Sequence, residues 1–188
     1  MNCQSNAVSS GGKSTLSSAS VCCLVGKLGL EDGSIPDESL SASSNWLAKP
    51  GVSHQSSSSA GGRLNKMPPH GDIIGAWHPM VADTNQWIQV DLGSPTYVTG
   101  VLTQGRQDHH AQRVTKYKVQ YEPPSPASLV DVKDQLGQTE IFNGNTNQDG
   151  IVEKRFSEPV LAVKVRIVTI EWNGFIALRF ELLGCKHG

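Results

Sequence analysis

At 188 residues with 37% apolar side chains, the chain is long enough for one sizeable core and too short for two well-packed domains. Its formal net charge of -1 and the lack of any long basic run give no reason to expect a nucleic-acid partner. The most apolar run, Val160 to Ile170, is broken by Lys164 and Arg166 and is far shorter than a bilayer span, so no membrane crossing is expected.

Residues 1–20, MNCQSNAVSSGGKSTLSSAS, carry neither a basic n-region nor an apolar h-region and do not read as a signal peptide. Their Ser and Gly bias cannot bury enough apolar area to offset ordering. That predicts a flexible tail over 1–20 ahead of one domain over 21–188. Cys3, Cys22, Cys23 and Cys185 form no C-x-x-C pair, and two adjacent cysteines cannot easily serve one tetrahedral metal, so no metal site is expected. Cys22 or Cys23 at the start of the patterned region and Cys185 at its end suit a bridge between the domain's termini. Such a bridge needs an oxidising compartment; buried free thiols are the alternative.

Ser41 to Val81 is rich in loop signals, with SSSSAGG and MPPHGD and few alternating apolar positions. An irregular stretch of that length in a compact domain tends to be functional, so the binding surface is expected there. From Trp87 onward the periodicity is close to two, with β-branched and aromatic apolar positions. WIQVDL, YVTGVLTQ, TKYKVQY, TEIFNG, GIVEKRF, VLAVKVRIVTI and FIALRFELLG read as strands. Gly93-Ser94-Pro95, EPPSPAS, Asn143-Gly144-Asn145, Asp149-Gly150 and Asn173-Gly174 read as the turns between them. Short strands at regular spacing imply an all-β sandwich or barrel, with Trp77 and Trp87 in its core and Trp172 at the end away from the loops.

The segments LGLEDGSIPDESLSASS (Leu28–Ser44), GRLN (Gly62–Asn65), WIQVDLG (Trp87–Gly93), LTQGR (Leu102–Arg106), TKYKVQY, FNGNTN and IALRFELLGC occur in one order. Together they resemble the discoidin, or coagulation factor V/VIII type C, domain, from Cys23 to Cys185. The resemblance implies a jelly-roll β-sandwich of the galactose-binding-domain-like kind, with its first and last strands tied by a disulfide at the positions of Cys23 and Cys185. It also implies a non-enzymatic recognition module whose ligand sits on three loops at one end, around Asn45–Gly62, Asn65–Met80 and Arg106–Val114.

In collagen-binding relatives the trench is lined by positions that correspond to Trp46, Asn65 and Arg106. Where those relatives carry a carboxylate, this chain has the amide of Asn65, so no salt bridge from Arg106 can form there. That argues against collagen. Arg113 stands where many members carry an aromatic.

Asp108, His109 and His110 offer carboxylate and imidazole groups in a row, but consecutive residues of an extended chain point to opposite sides. No G-x-S-x-G, H-E-x-x-H or G-x-x-x-x-G-K motif accompanies them, so neither catalysis nor a cofactor is expected. Lys49, Arg63, Lys66, Arg106, Arg113 and the loop histidines, His78 among them, outnumber Asp72, Asp83 and Asp108 on the three loops. That suggests a locally cationic mouth. The expected ligands are extracellular glycans or glycoproteins, contacted by Trp46, Asn65, Arg106, His109, His110 and Arg113. The alternative is an anionic membrane surface, with Ile73 and Ile74 inserting.

Overall fold

The computed structural model describes residues 25–47, 57–67, 75–107 and 110–185. The 1–20 stretch lies outside them, as do Cys3, Cys22 and Cys23. Eight strands follow in order: β1 (Val25–Lys27), β2 (Leu40–Ala42), β3 (Trp87–Gln104), β4 (Arg113–Glu122), β5 (Val130–Asp131), β6 (Ile141–Asn143), β7 (Val152–Asn173) and β8 (Arg179–Cys185). Among the described residues, the only helical elements are the 3-10 turns Asp37–Ser39 and Ser59–Gly62. The all-β expectation holds, and every strand ladder is antiparallel.

Hydrogen bonds run β1-β8-β3-β7-β4-β5, with β2 added on β3 and β6 on β4. β3 and β7 are longer than the sequence pattern suggests, because each joins two expected strands. They pair from Trp87–Val168 to Thr103–Val152, with register shifts between Asp91 and Thr96 and between Val98 and Gly100. The turn expected at Gly93-Ser94-Pro95 is therefore the fold-back of a paired ladder and not a strand end. Gly93, at φ 71, adopts the backbone that a side chain would resist there. Irregularities of this kind bend and twist a strand without ending its pairing.

The fold-back returns both ends of β3 to one end of the sandwich. At its start, Thr169 N donates to Gln86 O at 3.0 Å. At its finish, Gly105 packs against Arg113, which pairs with Asn173 four residues further along β7. Between the two layers lies the core, with Ile88, Val90, Val98, Val101, Tyr117, Val119, Phe142, Val165, Ile167, Phe180 and Leu182 all buried. Alternating inward positions supply it, as sheet-on-sheet packing requires.

β8 is buried on both faces. Phe180 and Leu182 enter the main core, while Leu183 meets Leu64 and Leu102 in a second, smaller cluster. The irregular chain around Leu28–Ile35 and Arg63–Asn65 covers that outer face. Glu181 anchors it: its buried carboxylate accepts from the backbone N–H of Gly29, Leu30, Glu31 and Leu182 at 2.8–3.3 Å. Because Arg179 pairs with Gln104 and Gly184 with Val98, β8 runs from the loop end to the opposite pole, where Val25 pairs with Cys185.

Two tryptophans sit elsewhere than expected. Trp77 is buried in the core, but Trp87 is half-buried on an outer sheet face, with the Arg166 guanidinium 3.8 Å above its ring. Alternation explains this: Ile88 and Val90 take the inward positions, so Trp87 must face out, and a cation covers its π-face. Trp172 pairs with Val114, beside Arg113 and Asn173, and so stands at the loop end.

Candidate functional site

Three stretches of backbone meet at the loop end. Trp46 N donates to His78 O at 2.8 Å, and Ser57 Oγ donates to the same carbonyl at 2.7 Å, which ties the first loop to the second. Ser44 accepts from Met80 N through its hydroxyl and from Trp77 Nε1 through its carbonyl, both at 3.0 Å. Trp46 is thereby held half-buried, its ring edge-on to Phe175 at 5.7 Å between centroids. His78 stacks on the same phenyl ring at 6.1 Å and 16°. Edge-to-face and offset stacked pairs of this kind are the favoured aromatic geometries.

The third loop joins this cluster at Gln112. Arg106 N donates to Gln112 O at 3.0 Å, closing the loop at its base. Arg106 Nη1 donates to Gln112 Oε1 at 3.0 Å, and His78 Nε2 lies 3.1 Å from that same oxygen. The other ring nitrogen of His78, Nδ1, is 3.3 Å from Ala76 O. Arg106 is only 9% exposed, and His78 is buried. Arg179 fixes the loop from behind: Nε donates to Gly105 O at 2.7 Å and Nη2 to Asp149 Oδ1 at 2.9 Å. Gly105 leaves room for no side chain, since a Cβ there would meet Arg113 Cβ at 2.7 Å and Gln112 O at 2.8 Å.

Of the residues singled out in the sequence, Trp46 and Arg106 come together through Phe175, His78 and Gln112. Asn65 lies to one side. Its backbone takes φ 55, a left-handed conformation that asparagine tolerates better than most. Its amide is engaged on both ends, donating to Glu31 Oε1 at 2.6 Å and accepting from Gln104 Nε2 at 3.0 Å. Lys27 and Asn65 hold the Glu31 carboxyl below its ordinary range. Arg113 Nη1 donates to Asn173 Oδ1 at 3.3 Å and to Ala111 O at 3.4 Å. His110 is exposed, and its carbonyl accepts from Gln112 N at 2.7 Å. His109, Asp108, Ile73 and Ile74 lie outside the described residues.

Arg63 departs from the expected cationic mouth. It is buried away from Trp46, with Nε donating to Asp37 Oδ1 at 2.9 Å and Nη1 and Nη2 donating to Leu30 O and Ile35 O at 2.8 Å. Its charge organises the N-terminal crossing. His78 is likewise a packed residue and not a surface charge. Among the described residues, no three His, Cys, Asp or Glu side chains converge as a metal cluster would require.

Phe175 and Gln112 were not singled out in the sequence. Phe175 had a signal: in Phe175-Ile176-Ala177-Leu178 four apolar residues run consecutively after a turn, and an extended chain cannot point all four into one core. Gln112 had none, since its importance is a convergence of loops.

Comparison with known proteins places this architecture. The sequence model of the F5/8 type C domain matches residues 39–182. Lactadherin of Mus musculus is 35% identical over 164 residues, covering 84% of this chain and 33% of its own length. Retinoschisin of Mus musculus is 32% identical over 190 residues, covering 96% of this chain and 77% of its own. The chain thus spans about a third of the one relative and about three quarters of the other. Discoidin II of Dictyostelium discoideum superposes with a TM-score of 0.65 at 29% identity, over 79% of this chain and 56% of that one. With the jelly-roll sandwich and the loop cluster at one end of it, the chain belongs to the F5/8 type C domain family.

Proposed function

We propose that this domain is a non-enzymatic recognition module that binds glycans or glycoproteins of the cell surface or matrix at its loop end. One observation carries the reading: Trp46 and Phe175, both half-buried, present joined aromatic surface beside the polar groups of Gln112 and Arg106. A sugar ring has an apolar face that packs on aromatic carbon and a rim of hydroxyls that needs directional partners. Loops on a rigid sandwich are a common way to build such a surface. Arg63, Arg106 and Arg113 are each bonded to acceptors within the protein, which shifts the reading from a general attraction for anions to hydrogen bonding with hydroxyls. The disulfide at Cys185 supports work in an oxidising, extracellular compartment.

The test is an array of neutral, sialylated and sulfated glycans with matrix proteins, probed with wild type, Trp46→Ala and Phe175→Ala. Each substitution is expected to weaken binding about tenfold or more, at about 1.4 kcal/mol per decade, without unfolding the domain. Undiminished binding by both variants overturns the assignment.

A second reading rests on exposed apolar side chains beside Trp46. Leu47 is 63% exposed, Met80 45% and Val81 53%, a grouping that suits shallow insertion into a lipid surface. Co-sedimentation with phosphatidylserine vesicles and with neutral vesicles separates the two, since a glycan site is indifferent to both.

A further inference from the structure

We infer that Gln112 is the positioning residue of the loop end, a single amide oxygen that sets the relation of three loops and the Phe175 turn. This rests on the proposed recognition role of that end and names what organises it. The argument begins with donors and acceptors. A guanidinium has only N–H donors, so Arg106 Nη1 at 3.0 Å fixes which end of the Gln112 amide faces it: the oxygen. That choice fixes the next one. With Oε1 between them, we assign the hydrogen of His78 to Nε2, 3.1 Å away, as the second donor to that oxygen. The imidazole plane is thereby oriented, and the plane is what lets it stack on Phe175 at 16°.

Phe175 in turn receives the edge of Trp46, whose own backbone N–H is bonded to His78 O. Gln112 is locked as well. Its backbone N donates to His110 O at 2.7 Å, its backbone O accepts from Arg106 N at 3.0 Å, and its Cγ lies 3.4 Å from where a Cβ on Gly174 would be. One acceptor therefore links the 44–46, 76–80 and 173–175 segments with 105–107 and 110–112. Removing that oxygen takes a shared acceptor from two buried side chains at once, which weakens the link between these segments.

The test compares Gln112→Met, which keeps the length and loses the acceptor, with Gln112→Glu, which keeps the acceptor. The first readout is the side-chain ¹⁵N NMR spectrum of His78. Wild type and Gln112→Glu are expected to show a slowly exchanging Nε2–H, which Gln112→Met loses. The second is affinity for galactose-terminated and sialylated glycans on the array, expected to fall about tenfold in Gln112→Met and to be partly restored in Gln112→Glu. Should the methionine variant not fold, Gln112→Asn withdraws the acceptor by one methylene and takes its place. A His78 signal that persists without the acceptor, or a glutamate variant that fails to rescue it, overturns the proposal. If wild type binds no glycan, the glycan reading fails while the His78 signal still decides the role of Gln112.

Discussion

Buried polar atoms in this domain fall into two groups, those that are paired and those that are not. Glu181 and Arg63 are each bonded to several backbone groups and clamp irregular chain onto the sandwich. Tyr117 is the contrast. It is fully buried in the core, and neither its hydroxyl nor the buried hydroxyl of Thr103 has a hydrogen-bond partner. Burial pushes the Tyr117 phenol well above its ordinary range, with the Glu140 carboxylate adding to the effect. The sign of the linkage follows. Below about pH 10 both folded and unfolded chains hold this proton, and stability is unaffected. As pH rises past that value the unfolded chain releases it and the folded chain does not, so stability falls by up to about 1.4 kcal/mol per pH unit. Tyr117→Phe removes this contribution, and because it also removes an orphaned hydroxyl it is expected to lie within about 1 kcal/mol of wild type at pH 7. Urea midpoints at pH 9 and pH 11 check it: wild type should lose more than the variant. Parallel losses would mean the phenol ionises freely.

At the scale of elements, the folded-back β3/β7 ladder positions everything else. Its second irregularity, between Val98 and Gly100, brings backbone against backbone. A Cβ on Gly100 would lie 2.3 Å from Lys154 O and 3.1 Å from Arg155 Cα, with no flexible side chain able to yield in the first contact. Gly100→Ala is expected to destabilise by about 2–3 kcal/mol, read as a lower urea midpoint with an unchanged slope. This ladder also shows where sequence legibility ends. Period-two alternation in WIQVDL and YVTGVLTQ gave the strands, and the turn chemistry of Gly93-Ser94-Pro95 was equally plain. Local pattern carries no sign of whether a partner strand bends in step, so the fold-back read as an interruption. The loop end has the same asymmetry. Trp46 and Arg106 stand out by residue type and by resemblance, whereas Gln112 and His78 acquire their roles only when segments some thirty residues apart meet.

For the whole molecule, the consequence of β8 running from Arg179 to Cys185 is a separation of duties between the poles. Chain entry and exit lie together at one end, where β1 meets the finish of β8, and the aromatic cluster lies at the other. Cys185 is disulfide-bonded. We propose Cys23 as its partner, the position that the family resemblance implies, with Cys22 beside it as the alternative; β1, which follows both, pairs with β8 at Cys185. A bridge there closes nearly the whole domain into one loop, and in the chain-entropy model this restricts the unfolded state by about 4–5 kcal/mol. It touches nothing at the recognition end. Cys185→Ala should therefore lower the unfolding midpoint by an amount of that order, while binding on the glycan array, measured well below the midpoint, stays at the wild-type level. Peptide mapping without reduction should recover Cys23 joined to Cys185. A binding loss that parallels the loss of stability would mean that the two poles are coupled through the shared ladder.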